Sequence, residues 1–259
     1  MKALVRWGAT LGLVGSTLLG SVFAGNLSVL ALSQEQIKEK LDSVPVYLIT
    51  NDKGLPLSRP LPNNQQPGGS VTGVYMSRQE AQNFIKELQN AQGRNPQMQE
   101  VLKSLQVTAV PLGVIYQQLQ QTQNQSERLL FAFKPVEREI KGAMELLRRG
   151  GQQVQQFNSV PIFAVRFSPN EGYVPIQLGS DSEQLIPLFL SKRDAQNLLN
   201  QVKPQFPQAD IQVIDIDGVI KTMEDKNDPW LNQVVLVPSQ ESREYIQTLS
   251  TQNRPSPRR

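Results

Sequence analysis

Two copies of one sequence pattern follow each other along this chain, and an internal repeat constrains the fold more strongly than any single motif does. Four segments of the first copy recur in the same order in the second: residues 44–47 as 160–163, 77–84 as 191–198, 113–115 as 218–220, and Pro135 as Pro238. The number of residues that separates a segment from its copy decreases along the chain, as expected if loops are shorter in the second copy. The sequence therefore predicts two structurally related halves.

Each copy predicts the same order of secondary-structure elements. Runs of β-branched and aromatic residues, such as residues 46–50 and 162–167, end in turn-forming residues and are typical of strands. The segments around residues 81–88 and 195–202 carry apolar residues at helical spacing, and these stripes, which include Phe84, are predicted to face the core. Each copy thus reads as a ββαβαβα unit, and the predicted fold class is α+β, with two pseudo-symmetric copies forming a two-lobed molecule.

The first helix of each unit begins at a serine that is followed three residues later by an acid. These pairs are Ser77 with Glu80 and Ser191 with Asp194. In a capping box, the serine oxygen accepts a backbone N–H and the acid binds the backbone of the cap residue. We therefore predict a capping box at both helix starts.

The ends of the chain differ in composition from the repeats. Lys2 and Arg6 precede an uncharged run up to Ser33, which is the layout of a secretory signal peptide. Small residues allow cleavage after Ala24 or after Ala31, and the polar helix that follows favours Ala31; an uncleaved membrane anchor is the alternative. The predicted organisation is a signal peptide (1–31), a first repeat (32–150), a second repeat (151–250) and a disordered basic tail (251–259).

Composition excludes several classes of function. The chain has no cysteine and no histidine, which removes thiol nucleophiles, disulfides, histidine-based triads and the usual zinc sites. Loss of the signal peptide leaves 24 basic and 23 acidic residues, with no clustered basic stripe of the kind that binds nucleic acid. We predict no cofactor, no metal site and no nucleic-acid partner.

Asp215 and Asp217, in the stretch VIDIDGVI, match the start of a haloacid-dehalogenase-type phosphatase loop. Such an enzyme uses the first aspartate as nucleophile and the second as general acid and base, with Mg²⁺. The short chain that follows leaves no room for the rest of that domain. We expect Asp217 to cap a helix and Asp215 to end a strand, and a Mg²⁺-dependent phosphohydrolase remains the alternative.

The stretches LDSVPVYLITNDKGLPL, GVYMSRQEAQNFIKEL and VTAVPLGVIYQQL, each with a weaker second copy, resemble the Tic twenty-two (Tic22) family. This family comprises a soluble intermembrane-space component of the chloroplast import translocon and its cyanobacterial relatives. The resemblance covers nearly the whole mature chain. It implies a secreted α+β protein with apolar clefts that acts as a chaperone-like factor, and, with the signal pattern, a role in outer-membrane biogenesis.

The expected function is therefore a non-enzymatic periplasmic factor that assists protein transport. Its partners would be unfolded or transiting polypeptides and outer-membrane assembly or translocon components, and the protein would be a monomer or a dimer. The thylakoid lumen and the plastid intermembrane space are alternative locations, and a structural bridging role in a translocon is an alternative function. Aromatic residues beside turns and strand edges are the predicted partner-binding residues: Tyr47, Tyr75, Phe163, Tyr173, Phe189 and Trp230.

Overall fold

The computed structural model of this chain describes residues 31–60, 69–92, 96–123, 129–177, 183–226 and 228–252. The predicted signal peptide up to residue 30 lies outside these ranges, as do residues 253–259 of the predicted tail. Residues 251 and 252, which the sequence assigns to that tail, still belong to the last helix. In the part of the chain that is described, no helix is both long and apolar enough to cross a bilayer.

The first half contains an N-terminal helix and the first repeat unit. Its elements are α1 (Gln34–Asp42), β1 (Pro45–Thr50), β2 (Ser58–Pro60), β3 (Ser70–Tyr75), α2 (Arg78–Gln92), α3 (Pro96–Ser104), β4 (Gln106–Pro111), α4 (Leu112–Thr122), β5 (Leu129–Lys134) and α5 (Glu137–Arg149). The sequence predicts the ββαβαβα core of this half but not the short strand β2 or the helix α3.

The second half repeats the unit, and its described residues contain no helix equivalent to α3. Its elements are β6 (Pro161–Arg166), β7 (Ile176–Gln177), β8 (Gln184–Phe189), α6 (Lys192–Val202), β9 (Asp210–Asp215), α7 (Ile216–Asp225), a 3₁₀ turn (Pro229–Gln233), β10 (Val234–Val237) and α8 (Gln240–Gln252).

The two sheets have the same topology. In the first, β1 lies between β3 and β4 with antiparallel pairing, and β5 pairs with β3 in parallel. In the second, β6 lies between β8 and β9, and β10 pairs in parallel with β8. The short strands β2 and β7 each pair with the beginning of the second long strand. The α+β class and the pseudo-symmetric copies predicted from the sequence are confirmed.

The inner faces of both sheets pack into one central hydrophobic cluster. Val46 of β1 and Ile162 of β6 are fully buried in it, together with residues of α1, α4 and α7. Alternate residues on the same strands, such as Tyr47 and Phe163, point to the outer faces. Side chains alternate between the two faces of a strand. Since both faces are buried here, the residues on both faces are apolar.

The closing helix of each repeat packs on the sheet of the other repeat. Ala143 and Leu146 of α5, which follows the first sheet, pack on the outer face of the second sheet. Tyr245 of α8, which follows the second sheet, packs on the outer face of the first, with its ring 5.9 Å from that of Tyr47. The halves are therefore interlocked by exchanged helices in addition to sharing the central cluster.

The exchanged helices also supply the caps that the sequence assigns to local residues. Glu241 of α8 accepts hydrogen bonds from Ser77 Oγ and, at 3.0 Å, from the backbone N–H of Gln79 at the start of α2. Glu139 of α5 accepts from the backbone N–H of Lys192 at the start of α6 at 2.8 Å.

The predicted capping boxes are therefore wrong in part. Ser77 Oγ does accept from the N–H of Glu80 at 3.3 Å, but Ser191 makes no side-chain cap. The two acids bind elsewhere, since Glu80 accepts from the N–H of Glu137 and Asp194 pairs with Arg243. Each acid thus contacts the closing helix of its own half, while a glutamate from the closing helix of the other half binds the start of the helix.

Strand-to-helix junctions show that one of the four sequence matches is shifted by one residue. The N–H of Leu112 donates to the carbonyl of Val44, and the N–H of Ile216 donates to that of Val160, so Leu112 corresponds to Ile216. Gly113 is therefore equivalent to Asp217 and not to Gly218. A Cβ at Gly113 would lie 2.5 Å from the carbonyl oxygen of Lys38, so the glycine permits close packing of α4 on α1.

Candidate functional site

The six predicted partner-binding aromatics lie in different environments. Tyr47 and Phe163 are completely buried, and Phe189 is 6% exposed, so these three form part of the core under the exchanged helices. Core packing requires these three rings, because α5 and α8 cover the strand faces from which they project. A docking polypeptide could reach them only after those helices moved.

Tyr173 and Trp230 form a half-buried pair in the second half. Their ring centroids are 5.5 Å apart, and the Tyr173 hydroxyl donates to Gln212 Oε1 at 2.9 Å. Both rings pack against the edge of the central cluster. A partner-binding role for these residues stays a prediction.

Tyr75 is the one of the six that lines an open apolar groove. The groove lies on the outer face of the first sheet, between that face and helices α2 and α3, and has a volume of about 460 Å³. Its floor comes from β1, β3 and β5, and β2 lies along one side. We define the groove by its apolar residues: Ile49, Leu57, Val71, Tyr75, Phe84, Leu88, Met98, Val101, Leu102, Leu105 and Ala132.

Three of these residues are large hydrophobic side chains exposed to solvent: Leu57 at 37%, Phe84 at 36% and Val101 at 48%. Leu55, in the turn just before Leu57, is 62% exposed. Folding usually hides such side chains, and a contiguous apolar surface that stays open is typical of a binding site. The groove is therefore the candidate functional site among the described residues.

Local sequence explains why the groove stays open. Ala81 and Ile85 of α2 are buried against the sheet, whereas Phe84 lies at the flank of that stripe and extends over the groove, 5.8 Å from the Tyr75 ring. The sequence places Phe84 in the core stripe, and its exposure corrects that assignment. In α3, Leu102 is buried and Val101 is not, because α3 packs on α2 along one face only.

The electrostatics of the groove are simple. Burial, with a smaller contribution from Glu87, raises the pKa of Tyr75 to about 12, so the phenol is neutral at physiological pH. Arg59 and Lys134 also line the groove, are exposed, and form no ion pair with any described residue. The site is an apolar surface with a cationic rim.

A sequence signal for this groove exists, but it is weak. The run from Leu55 to Leu57 places two leucines in a turn, where apolar residues are not needed for packing. The spacing of Met98, Val101 and Leu102 is helical. Neither feature shows that the two segments meet over the same sheet face, since that depends on the path of the chain.

Asp215 and Asp217 both lie at the start of α7, where each accepts a hydrogen bond. Asp215 is the N-cap of α7, and its Oδ1 accepts from the N–H of Gly218 at 2.6 Å. Asp217 is exposed in the first turn and accepts from Ser159 Oγ at 3.0 Å. The assignment of the cap to Asp217 is thus wrong by two residues, because the helix begins at Ile216.

No described residue joins these two carboxylates into a phosphatase-like centre. Neither forms an ion pair with a lysine within the described ranges. The same part of the chain contains no group of three or more acidic side chains placed to hold a metal ion. The described geometry therefore gives the phosphohydrolase alternative no support.

Comparison with known proteins agrees with this architecture. Residues 10–248 match the Tic22-like family. A solved structure of Anabaena Tic22, described as a protein of protein transport, is 70% identical and superposes with a TM-score of 0.80, covering 88% of this chain and 100% of that one. Tic22 from Plasmodium falciparum, at 18% identity and a TM-score of 0.60 over 84% of this chain and 99% of its own, shares the fold.

A protein from Arabidopsis thaliana named "Protein TIC 22-like, chloroplastic" is 22% identical over 214 residues, which is 80% of this chain. The match spans 61% of the length of that plant protein. The family match extends over nearly all of both repeats, and the resemblance seen in the sequence is confirmed. This chain belongs to the Tic22-like family.

Proposed function

We propose that this protein is a non-enzymatic, chaperone-like factor of protein transport that holds apolar segments of extended polypeptides in the groove of the first sheet. The observation that carries the proposal is the exposure of Leu57, Phe84 and Val101 along one continuous groove. The description of the Anabaena relative as a protein of protein transport supports the same class of function.

The groove is suited to transient binding of many segments. Complete burial of one large apolar side chain contributes about 1.5–3 kcal/mol, and part of that gain is offset by ordering the bound segment. A shallow, open site that takes a few side chains therefore binds weakly and releases readily. Because the described lining is mostly apolar, we expect recognition to depend on hydrophobicity and not on one sequence.

The cationic rim adds a preference to this binding. Arg59 and Lys134 carry charges that no described acid neutralises. Exposed charges of this kind attract acidic side chains over about 8–10 Å at physiological salt. We expect segments with acidic residues beside their apolar residues to bind fastest, and this preference to weaken as salt is added.

The proposed setting is the periplasm, with outer-membrane proteins in transit as clients. The signal-peptide pattern at Lys2 and Arg6 supports export. Unfolded strands of β-barrel proteins alternate apolar and polar residues and cannot be left exposed to water at high concentration. Outer-membrane assembly or translocon components would be the proteins to which the clients are passed.

The test is suppression of aggregation of a urea-unfolded outer-membrane β-barrel protein by the purified protein. The variant Phe84→Ser/Val101→Ser makes the groove polar, and we expect it to require several-fold more protein for the same suppression. The matched control is Ile246→Ser/Leu249→Ser, since these α8 side chains are 39% and 38% exposed but do not line the groove. Equal activity of wild type and groove variant would contradict the proposal.

A further inference from the structure

We infer that the outer edge of β5 accepts an extended segment of a client polypeptide as an added strand, directly beside the groove. The inference rests on the proposed function and specifies how a segment held in the groove is fixed. The occupant is an extended polypeptide with apolar side chains at every second position. The argument comes from the direction of the β5 backbone groups and from a difference between the two sheets.

The backbone groups of Phe131 and Phe133 point away from the sheet. The carbonyl of Lys134 accepts from the N–H of Met76 at 3.0 Å, so the backbone groups of Lys134 point toward β3. The N–H and C=O of one strand residue point to the same side, and neighbouring residues alternate. Phe131 and Phe133 therefore direct their N–H and C=O groups to the outer edge of β5.

This edge has no partner among the described strands and side chains. β5 pairs only with β3 there, and no described residue forms a hydrogen bond to the outward groups of Phe131 or Phe133. The strand sequence LLFAFK is apolar up to Lys134, and residues 130–133 are partly exposed. Proteins normally protect long apolar edges with charges, prolines, bulges or a covering element, since such edges pair with other chains.

The equivalent edge in the second sheet does have that protection. The carbonyl of Val237 accepts from the N–H of Leu190, so Val234 and Leu236 point outward from β10. Lys40 Nζ donates to the Val234 carbonyl at 3.0 Å, and Ser43 Oγ donates to the Leu236 carbonyl at 3.2 Å. Helix α1 therefore occupies this edge with polar side chains.

Lys40 is partly buried in this contact, and burial lowers the pKa of its ammonium. The segment between α5 and β6, residues 152–160, forms no helix that could cover β5 in the same way. Within the described ranges, one of two related edges is therefore covered and the other has no partner. The open edge is the one that borders the groove, through Ala132 and Lys134.

The geometry of an added strand defines the occupant. Side chains of the added strand would alternate between the two sheet faces, and every second one would lie beside Ala132 and Lys134 at the groove. Backbone pairing supplies affinity without sequence preference, and the groove selects apolar residues at alternate positions. The other edge of this sheet, at β4, contributes no strand residue to the groove.

The test is residue-resolved amide hydrogen exchange, measured by NMR on the purified protein with and without a soluble peptide of alternating Val and Thr residues. The amides of Phe131 and Phe133 point to the outer edge of β5, whereas those of Leu130 and Ala132 face β3. We expect the peptide to slow exchange at Phe131 and Phe133 by about tenfold or more. The amides of Val234 and Leu236 serve as the internal control and should not change.

Each outcome separates the inference from the proposed function. The peptide could bind in a way that depends on Phe84 and Val101 while exchange at Phe131 and Phe133 stays unchanged. That result would overturn the added strand and leave the groove proposal intact. Absence of any binding overturns both. Protection that appears without peptide and grows with protein concentration shows pairing between two copies of this chain, which also overturns the client strand.

Discussion

Individual residues in this fold often have a role other than the one that their local sequence suggests. Tyr47 and Phe163 occupy equivalent positions on equivalent strands, and both are completely buried beneath an exchanged helix. Phe84 lies in an amphipathic stripe that is typical of a core-facing helix, yet it is exposed over a groove. Exposure of an aromatic residue here depends on which distant helix covers it.

Tyr75 gives a prediction at this scale. Its folded-state pKa of about 12 lies above the usual value of 10, so its contribution to stability is complete below pH 10 and is lost as the pH rises from 10 to 12. Tyr75→Phe should leave the free energy of unfolding at neutral pH nearly unchanged, because the hydroxyl has no hydrogen-bond partner among the described residues. Urea unfolding should show a shallower loss of stability above pH 10 than in the wild type.

Tyr116→Phe is the contrasting control for that experiment. Burial also raises the pKa of Tyr116 to about 12, but its hydroxyl donates to Glu224 at 2.9 Å. This variant should lose stability at neutral pH by about 1 kcal/mol or more, as well as part of the alkaline slope. An identical alkaline slope in Tyr75→Phe and wild type would disprove the linkage.

At the level of elements, the exchange of α5 and α8 explains several features that look unrelated in the sequence. Each closing helix covers the other half's sheet, and each provides the glutamate that binds the start of the other half's first helix. Carboxylates at helix N-termini interact favourably with free N–H groups and with the helix dipole. The acids at Glu80 and Asp194 are thereby free to contact α5 and α8.

Removal of Glu241 tests this capping across the two halves. We expect Glu241→Ala to lower the free energy of unfolding by about 1–2 kcal/mol, the range for loss of a helix cap. The control is Glu244→Ala, on the same helix, because Glu244 is exposed and its carboxylate contacts only Gln240 in the described structure. Similar losses in both variants, measured by chemical denaturation, would show that the contact with α2 contributes little.

At the level of the whole molecule, the boundary between the predicted repeats at residues 150 and 151 does not separate two independent cores. The central cluster contains residues of both halves, and each half lacks its own outer helix when it is alone. We therefore expect the two copies to unfold as one cooperative unit. Tyr245 of α8 packs against the cluster that contains Ile49 and Tyr75, two residues that line the groove in the first half.

Separate expression of the two halves tests that conclusion. We expect residues 32–150 and residues 151–252 each to lack cooperative thermal unfolding, because each exposes an inner and an outer sheet face. Mixing them should restore a folded complex, since all contacts except one peptide bond are then available. A folded monomer of either half, with dispersed amide signals in an NMR spectrum, would contradict this view.

Sequence alone determined the elements that depend on local pattern. The repeat, the ββαβαβα order and the apolar stripes of α2 and α6 follow from alternation and helical spacing, which act within a few residues. The sequence predicts Asp217 as the cap of α7, whereas Asp215 is the cap and the helix begins at Ile216. Both aspartates can cap a helix, and the pattern does not distinguish them.

Tertiary structure decided which surface each element covers. Apolar spacing shows that a helix has a face to bury but does not identify the sheet that receives it, and α5 and α8 pack on the sheet of the opposite repeat. That choice buries Tyr47 and Phe163, while the open groove exposes Phe84 and Val101. The groove and the open β5 edge arise from contacts between segments far apart in the chain, which local pattern cannot specify.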